Sequence, residues 1–297
     1  VSTSNNNGRA LEACLVNTIL QLNPKILALD TTLDDQQRDI LHFNALPSVQ
    51  QKLFCDFSNR YSLEIDVHKI ITIERLKDTA AKNGDVTDIR IVYMDGKIRN
   101  ISLKHNHDAC KHQRPAALIK NQLGINDPVL DKQYRDELKQ VENKFKSSVL
   151  PTDKNQNGDF LFNLVKSRDP SLINTLYSDI YNLVKKYLLN CTDSSAILHY
   201  FRFLVGNTNF EKVILEPHTR TIVIKDFSNI KDPTTIVDSF ISPHTGYLTV
   251  QFDNNFTLSM RLHTASSRFN LTSSLSLKFD STVDMTNAPV PQSIISF

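Results

Sequence analysis

Two residues carry the chemistry this sequence is equipped for: Asp88, at the head of one alternating apolar run, and Lys104, at the end of the next. Residues 84–91 read Gly-Asp-Val-Thr-Asp-Ile-Arg-Ile and residues 101–107 read Ile-Ser-Leu-Lys-His-Asn-His, with Asp95-Gly96 as the turn between the two strands. A carboxylate is a hard oxygen ligand, and Mg²⁺ takes one or two of these while keeping several waters. A lysine on the adjoining strand can orient a water and stabilise negative charge as it develops. Hydrolysis of a phosphodiester needs a nucleophilic water, charge neutralised at phosphorus and help for the departing 3′-oxygen. Each residue also has a plainer reading: Asp88 as a turn residue at a strand edge, Lys104 as an exposed strand lysine.

The surroundings favour an anionic ligand. Over residues 97–120 the chain carries Lys97, Arg99, Lys104, Lys111, Arg114 and Lys120 against Asp108 alone, with His105, His107 and His112 interspersed. Such a run reads either as a solvated face or as a local electrostatic footprint. The overall formal charge of +2, from 34 basic and 32 acidic residues, makes no case for nucleic acid, so any attraction has to be local. The spacing of His105, His107, Cys110 and His112 admits zinc, but no ligand cluster elsewhere completes a finger.

These side chains need a scaffold. A chain of 297 residues, 40% of them apolar, can bury one large core or two medium ones with no metal or disulfide needed merely to fold. Cys14, Cys55, Cys110 and Cys191 are widely spaced, which predicts free thiols and a cytoplasmic setting. No stretch approaches the roughly 18 apolar residues of a membrane span. After a polar start expected to fray, Leu11, Leu15 and Ile19 predict a helix over 9–20, ended by Pro24. The 3.6 period predicts further helices over 33–43, 49–57 and 66–81. The hairpin then spans 86–104, with Ile98, Asn100, Ser102 and Lys104 on one face and Arg99, Ile101 and Leu103 on the other.

A helix over 108–122, open to interruption at Pro115, and another over 131–146 are expected, then the clearest loop over 151–159 and more helix to about Phe203. Short β runs follow at 213–215, 221–225, 247–252, 256–262 and 275–279. The expected organisation is a helical N-terminal part with the catalytic core over 1–150. The rest of the core, with a β-rich part, falls over 151–297, as two lobes or one continuous domain.

Val86-Thr87-Asp88 with Ser102-Leu103-Lys104 resembles the split motif of the PD-(D/E)xK superfamily of metal-dependent nucleases. More narrowly, it resembles the type II restriction endonucleases of the Haemophilus kind that cut GGCC. Threonine stands at the motif's proline position, Asp88 matches its acid and Lys104 its lysine, while Ser102 stands where Asp or Glu is usual. Gly8-Arg9-Ala10-Leu11-Glu12 resembles the opening-helix motif through which such nucleases send a glutamate toward the metal. That makes Glu12 the candidate second carboxylate, with Glu74 and Asp85 behind it, and the resemblance also turns the Leu103 carbonyl toward the metal.

The stretch after Lys104 is similar to that of the GGCC-cutting enzymes and implies DNA contacts from His105, Asn106, His107, Lys111 and Arg114. Residues 256–280 are similar to the end of those enzymes. The guanidinium fork matches guanine O6 and N7, so Arg261 or Arg268 becomes the base reader, with His263, Ser266, Ser267 and Lys278 adding base or phosphate hydrogen bonds. Charged residues on an amphipathic strand are the bland alternative.

The resemblance touches residues 8–12, 84–114 and 256–280. It implies an α/β fold with a mixed central sheet flanked by helices and a β-rich C-terminal part. It implies Mg²⁺-dependent, sequence-specific cleavage of double-stranded DNA leaving 5′-phosphate ends, a homodimer matched to a palindrome, and a companion DNA methyltransferase. A repair nuclease with another target, or a DNA-binding module inactive because Ser102 brings no charge, are the alternatives.

Overall fold

The computed structural model describes residues 3–76, 84–106, 108, 112–286 and 288–297. In chain order the elements are α1 (Thr3–Leu22), β1 (Leu27–Ala28), α2 (Asp30–Asn44), α3 (Ser48–Ser62), β2 (Ile70–Arg75), β3 (Ile89–Tyr93), β4 (Ile98–His105) and β5 (His112–Gln113). Next come α4 (Pro128–Ser147), β6 (Phe160–Leu161), α5 (Phe162–Arg168), α6 (Pro170–Leu189) and α7 (Ser194–Val205). The remainder is strand: β7 (Glu211–Glu216), β8 (Thr221–Asp226), β9 (Ile236–Ile241), β10 (Leu248–Phe252), β11 (Thr257–Thr264), β12 (Arg268–Phe269), β13 (Leu277–Val283) and β14 (Gln292–Ser296). They form two compact units, one of Val1–Asp108, Gly206–Ile230 and Val290–Phe297, the other of Ala109–Val205 and Lys231–Pro289.

The first unit is built on a mixed sheet in the order β1-β2-β3-β4-β7-β8-β14. β4 and β7 run parallel, which requires a long connection, and the whole 109–205 segment intervenes between them. The inner face carries Ile73, Ile89, Ile91, Ile101, Leu103, Val213, Leu215 and Ile222. Leu11, Leu15 and Ile19 of α1 and Phe54, Phe57 and Tyr61 of α3, at helical spacing, belong to the same core. Each such side chain contributes about 1.5–3 kcal/mol on burial. α1 ends where Pro24 has no N–H to offer and the Asn23 N–H closes the last turn on the Ile19 carbonyl.

The second unit holds the antiparallel sheet β5-β13-β11-β10-β9 and the small pair β6-β12. Its long helices start where Asp127 and Asp169 accept backbone N–H bonds at the N-cap, each followed by a proline that has no N–H to orphan. The architecture is α/β, a central mixed sheet flanked by helices with a β-rich C-terminal region. No helix among the described residues is long and apolar enough to cross a membrane.

Several local expectations give way. The segment from 66 contains a strand, β2, because Ile70-Ile71-Thr72-Ile73 is a β-branched run whose Ile70 and Ile73 are buried once it lies beside β3, with a register irregularity between Ile70 and Thr72; residues 77–83 lie outside those described. α1 starts at Thr3, so residues 3–8 are helical where fraying was expected. Between 112 and 122 there is no single α-helix. Pro115 opens a short 3₁₀ turn and Leu118–Gln122 forms a π-helical turn. β9 and β14 were not foreseen, and the last β run is shifted to Leu277–Val283.

Candidate active site

Asp88 is fixed before its side chain does anything. Its N–H donates to the Ile101 carbonyl at 2.8 Å and its carbonyl accepts from Leu76 at 3.0 Å, so the residue is stitched to the chain on both sides just ahead of β3. The residues leading to it are braced from behind. The Gly84 carbonyl takes the Asn207 N–H at 3.0 Å. Asp85 accepts from the Thr87 N–H, Arg90 and Thr208. Gly206, at φ +125°, lies so close to Val86 that an added Cβ would meet its Cγ2 at 2.9 Å. Glu74 lies 3.8 Å from the same Arg90, so both reserve acids are engaged with one guanidinium.

On this frame Asp88 Oδ2 collects three donors. The Leu103 N–H reaches it at 2.7 Å, Lys104 Nζ at 3.1 Å and Ser102 Oγ at 3.4 Å. Lys104 and Asp88 are both partly exposed, at 19% and 26%, so the pair is open to a ligand.

Glu12 joins them from α1. Burial first, and the like charge of Asp88 second, push its carboxyl up to about 7, against the opposing pull of Arg75 and Lys104. It is held by Arg75, whose Nη2 lies 2.7 Å from Glu12 Oε2 and 2.8 Å from Asp39 Oδ2. Arg75 is buried, its Nη1 donates to Gln36, and its backbone N–H donates to Thr32 Oγ1. Burial raises Asp39, but hydrogen bonds from Arg38 and Arg75 outweigh it and hold the group below the usual carboxylate range. A paired buried carboxylate therefore anchors the arginine that holds Glu12.

Other residues named from sequence fall elsewhere. The His105 ring meets Phe54 edge-on at 5.2 Å on the core side of β4, the opposite face from Lys104, and burial lowers its basicity. Asn106 takes a left-handed φ of +57° and donates its N–H to the Leu215 carbonyl, leaving its side chain exposed. His107, Cys110 and Lys111 lie outside the described residues, as does the His112 side chain.

In the second unit, β11 and β13 pair Arg261 with Asp280 and His263 with Lys278, so these four share the face opposite buried Met260, Leu262 and Phe279. Arg261 Nη2 donates to Asp280 Oδ2 at 2.9 Å, and His263 Nε2 lies 2.8 Å from the same oxygen. Arg268 pairs with Asp159 at 3.0 Å, and its N–H donates to Ser266 Oγ. The Ser267 carbonyl accepts from Phe162 and Arg114 reaches Ser276 Oγ.

A family model for the HaeIII restriction endonuclease matches residues 30–289. The chain belongs to the HaeIII restriction endonuclease family. No curated protein and no solved structure matches it. Membership in the HaeIII family makes it a relative of the PD-(D/E)xK nucleases, and α1 with Glu12 precedes the matched span.

Against that background the donor set fits Mg²⁺. Two carboxylates within electrostatic reach raise one another's cost of ionisation, as the Glu12 carboxyl registers, and a cation between hard oxygens relieves it. No group of three or more His, Cys, Asp or Glu side chains gathers to hold a metal among the described residues, but Mg²⁺ commonly takes only two carboxylates.

Sequence reasoning missed two features. Arg75, with Asp39 and Gln36, is recognisable only once β2 is placed beside α1 and α2. Lys212 and Lys225, buried on β7 and β8, both pair with Asp108; their one trace in the sequence is a charge flanking each of two apolar runs.

Proposed function

We propose that the chain is a Mg²⁺-dependent, sequence-specific endonuclease that cuts double-stranded DNA, with GGCC as its target. The carrying observation is the Asp88–Lys104 contact of 3.1 Å with Glu12 held close enough to feel the Asp88 charge, in a member of a restriction endonuclease family. Asp88, Glu12 and the Leu103 carbonyl are the residues that would hold Mg²⁺, which when bound acidifies a water and neutralises charge on the phosphate.

The chain's own side chains do the rest. Lys104 orients the attacking water and offsets charge on the non-bridging oxygens. The water oxygen bonds to phosphorus as the bond to the 3′-oxygen breaks, leaving a 5′-phosphate and a 3′-hydroxyl. Asp88 holds the Lys104 ammonium in place, and Arg75 keeps Glu12 aimed at the centre.

In the second unit, Arg261 or Arg268 reads guanine, with His263, Ser266, Ser267 and Lys278 beside them and Lys111 and Arg114 on the backbone, while Asn106 of the first unit donates to a phosphate oxygen or a base edge. His107 keeps the role read from the motif, while His105, packed against Phe54 on the core side of β4, is left out of the DNA contacts. A palindromic target is suited to a homodimer, and a companion methyltransferase would protect host DNA.

Ser102 favours one other reading. Its hydroxyl stands 3.4 Å from Asp88 and brings no charge, which suits a DNA-binding module without cutting activity. Incubating the purified chain with unmethylated plasmid in Mg²⁺ and sequencing the fragment ends decides between them. A single palindrome at the ends, absent in EDTA, is the expected result; intact plasmid with specific duplex binding supports the inactive module.

A further inference from the structure

The polar row on the candidate centre's face of the sheet extends beyond Ser102. Ser102 is the register partner of Lys212 on β7, and Lys212 that of Lys225 on β8. Register partners share a face, and neighbouring strands lie about 4.8 Å apart. Asp88, Ser102, Lys212 and Lys225 therefore form one line, with two ammonium groups one and two strands beyond the motif's serine.

Both lysines are almost fully buried, at 2% and 8%, and both end on Asp108. Lys212 Nζ lies 3.3 Å from Asp108 Oδ1 and 3.0 Å from its carbonyl, and 5.3 Å from the centre of the Phe227 ring. Lys225 Nζ donates to Oδ2. Asp108 is 32% exposed, so this counter-charge reaches solvent.

As a stabilising device the cluster is poor. Taking two ammonium groups out of water costs several kcal/mol each, and apolar side chains of similar volume commonly do better. As an anion site it is well formed. Two fixed ammonium groups face two oxygens of a single anion, and a phosphodiester presents its two non-bridging oxygens in the same way.

We propose that Lys212 and Lys225 bind a DNA backbone phosphate beside the scissile one, and that Asp108 is an internal anion which this phosphate displaces. The choice of DNA as the source of the phosphate rests on the nuclease reading.

The test measures affinity for a short GGCC duplex in EDTA over a range of salt, for wild type, Asp108→Asn, Lys225→Met and the double variant. Removing the competitor in Asp108→Asn is expected to tighten binding about tenfold, and losing a charge-assisted contact in Lys225→Met to weaken it about tenfold. Lys225→Met also lowers the slope of log affinity against log salt by about one, and the double variant loses the gain. Asp108→Asn leaves two buried charges without their carboxylate, so its Tm falls, and inorganic phosphate restores it.

A purely structural cluster gives the opposite pattern. Asp108→Asn then loses stability with no gain in DNA affinity and no rescue by phosphate, and the salt slope of Lys225→Met matches wild type; that result overturns the proposal. Should Asp108→Asn fail to fold, the salt slope decides alone. Wild type that cuts DNA with an unchanged slope in Lys225→Met sinks the phosphate site and leaves the nuclease reading intact. Phosphate rescue in a chain that binds no duplex supports the anion site and removes the nuclease reading.

Discussion

Glu12 is the residue where the charge of the centre can be read from outside. Its carboxyl keeps a proton to about 7 in the folded chain, against 4.5 ordinarily. The folded state thus binds more protons than the unfolded one between those values. Stability therefore falls as pH rises through that window, by on the order of 3 kcal/mol in the absence of a cation. Glu12→Gln is expected to abolish that fall, seen as a Tm gap between variant and wild type that moves in the variant's favour from pH 5 to pH 8; parallel curves would refute the assignment. A cation at Glu12 competes with the proton, so calorimetric Mg²⁺ affinity should rise with pH up to about 7 and then level, with no such rise in Glu12→Gln. Arg75 is buried between Glu12 and Asp39, and Arg75→Met is expected to cost about 3–5 kcal/mol by denaturant unfolding, because it leaves buried carboxylates short of a partner. A loss below 1 kcal/mol would mean that the arginine does not anchor this network. Asp88 and Lys104 were legible in the sequence because a turn at Asp95-Gly96 sets two alternating strands in register. Arg75, Lys212 and Lys225 were not, since partners far apart in the chain give a buried charge its meaning.

At the scale of elements, the site depends on how residues 84–88 enter the sheet. Gly206 is the tightest point, with a left-handed φ of +125° and Val86 where a side chain would stand. Gly206→Ala is expected to destabilise the chain by about 1–3 kcal/mol and to lower cleavage further, through displacement of Asp88. Unfolding curves with activity measured well below the transition check this, and unaltered activity per folded molecule would contradict it. The alternation of Ile98, Asn100, Ser102 and Lys104 against Arg99, Ile101 and Leu103 matched the sheet because burial of one face enforces a period of two. The helix read over 66–81 failed at β2 because a β-branched run beside β3 gains more from ladder bonds and packing than from local helical periodicity. Pro115 itself, with no N–H to donate, broke the expected helix between 112 and 122, and β14 escaped notice because Gln292–Ser296 has exposed or half-exposed side chains and pairs with β8 at the sheet edge.

For the whole molecule, each unit carries one group of candidate residues: the first holds Asp88, Lys104 and Glu12, the second the basic face of β11 and β13. Arg261 and Arg268 are already paired, with Asp280 and Asp159, so each has to exchange an acid for guanine when it reads a base. Replacing whichever arginine reads the base by Ala is expected to narrow the gap between GGCC and a one-base variant by about 1–3 kcal/mol in single-turnover cleavage; an unchanged ratio in both Arg261→Ala and Arg268→Ala would assign them to positioning. The most direct test of the catalytic account is single-turnover cleavage of a GGCC duplex in Mg²⁺ by wild type and Lys104→Ala, with duplex affinity measured on the same samples in EDTA. The account expects the cleavage rate to fall by about a thousandfold or more while affinity stays within about threefold. Cutting by Lys104→Ala at the wild-type rate, or a loss of binding as large as the loss of rate, would contradict it.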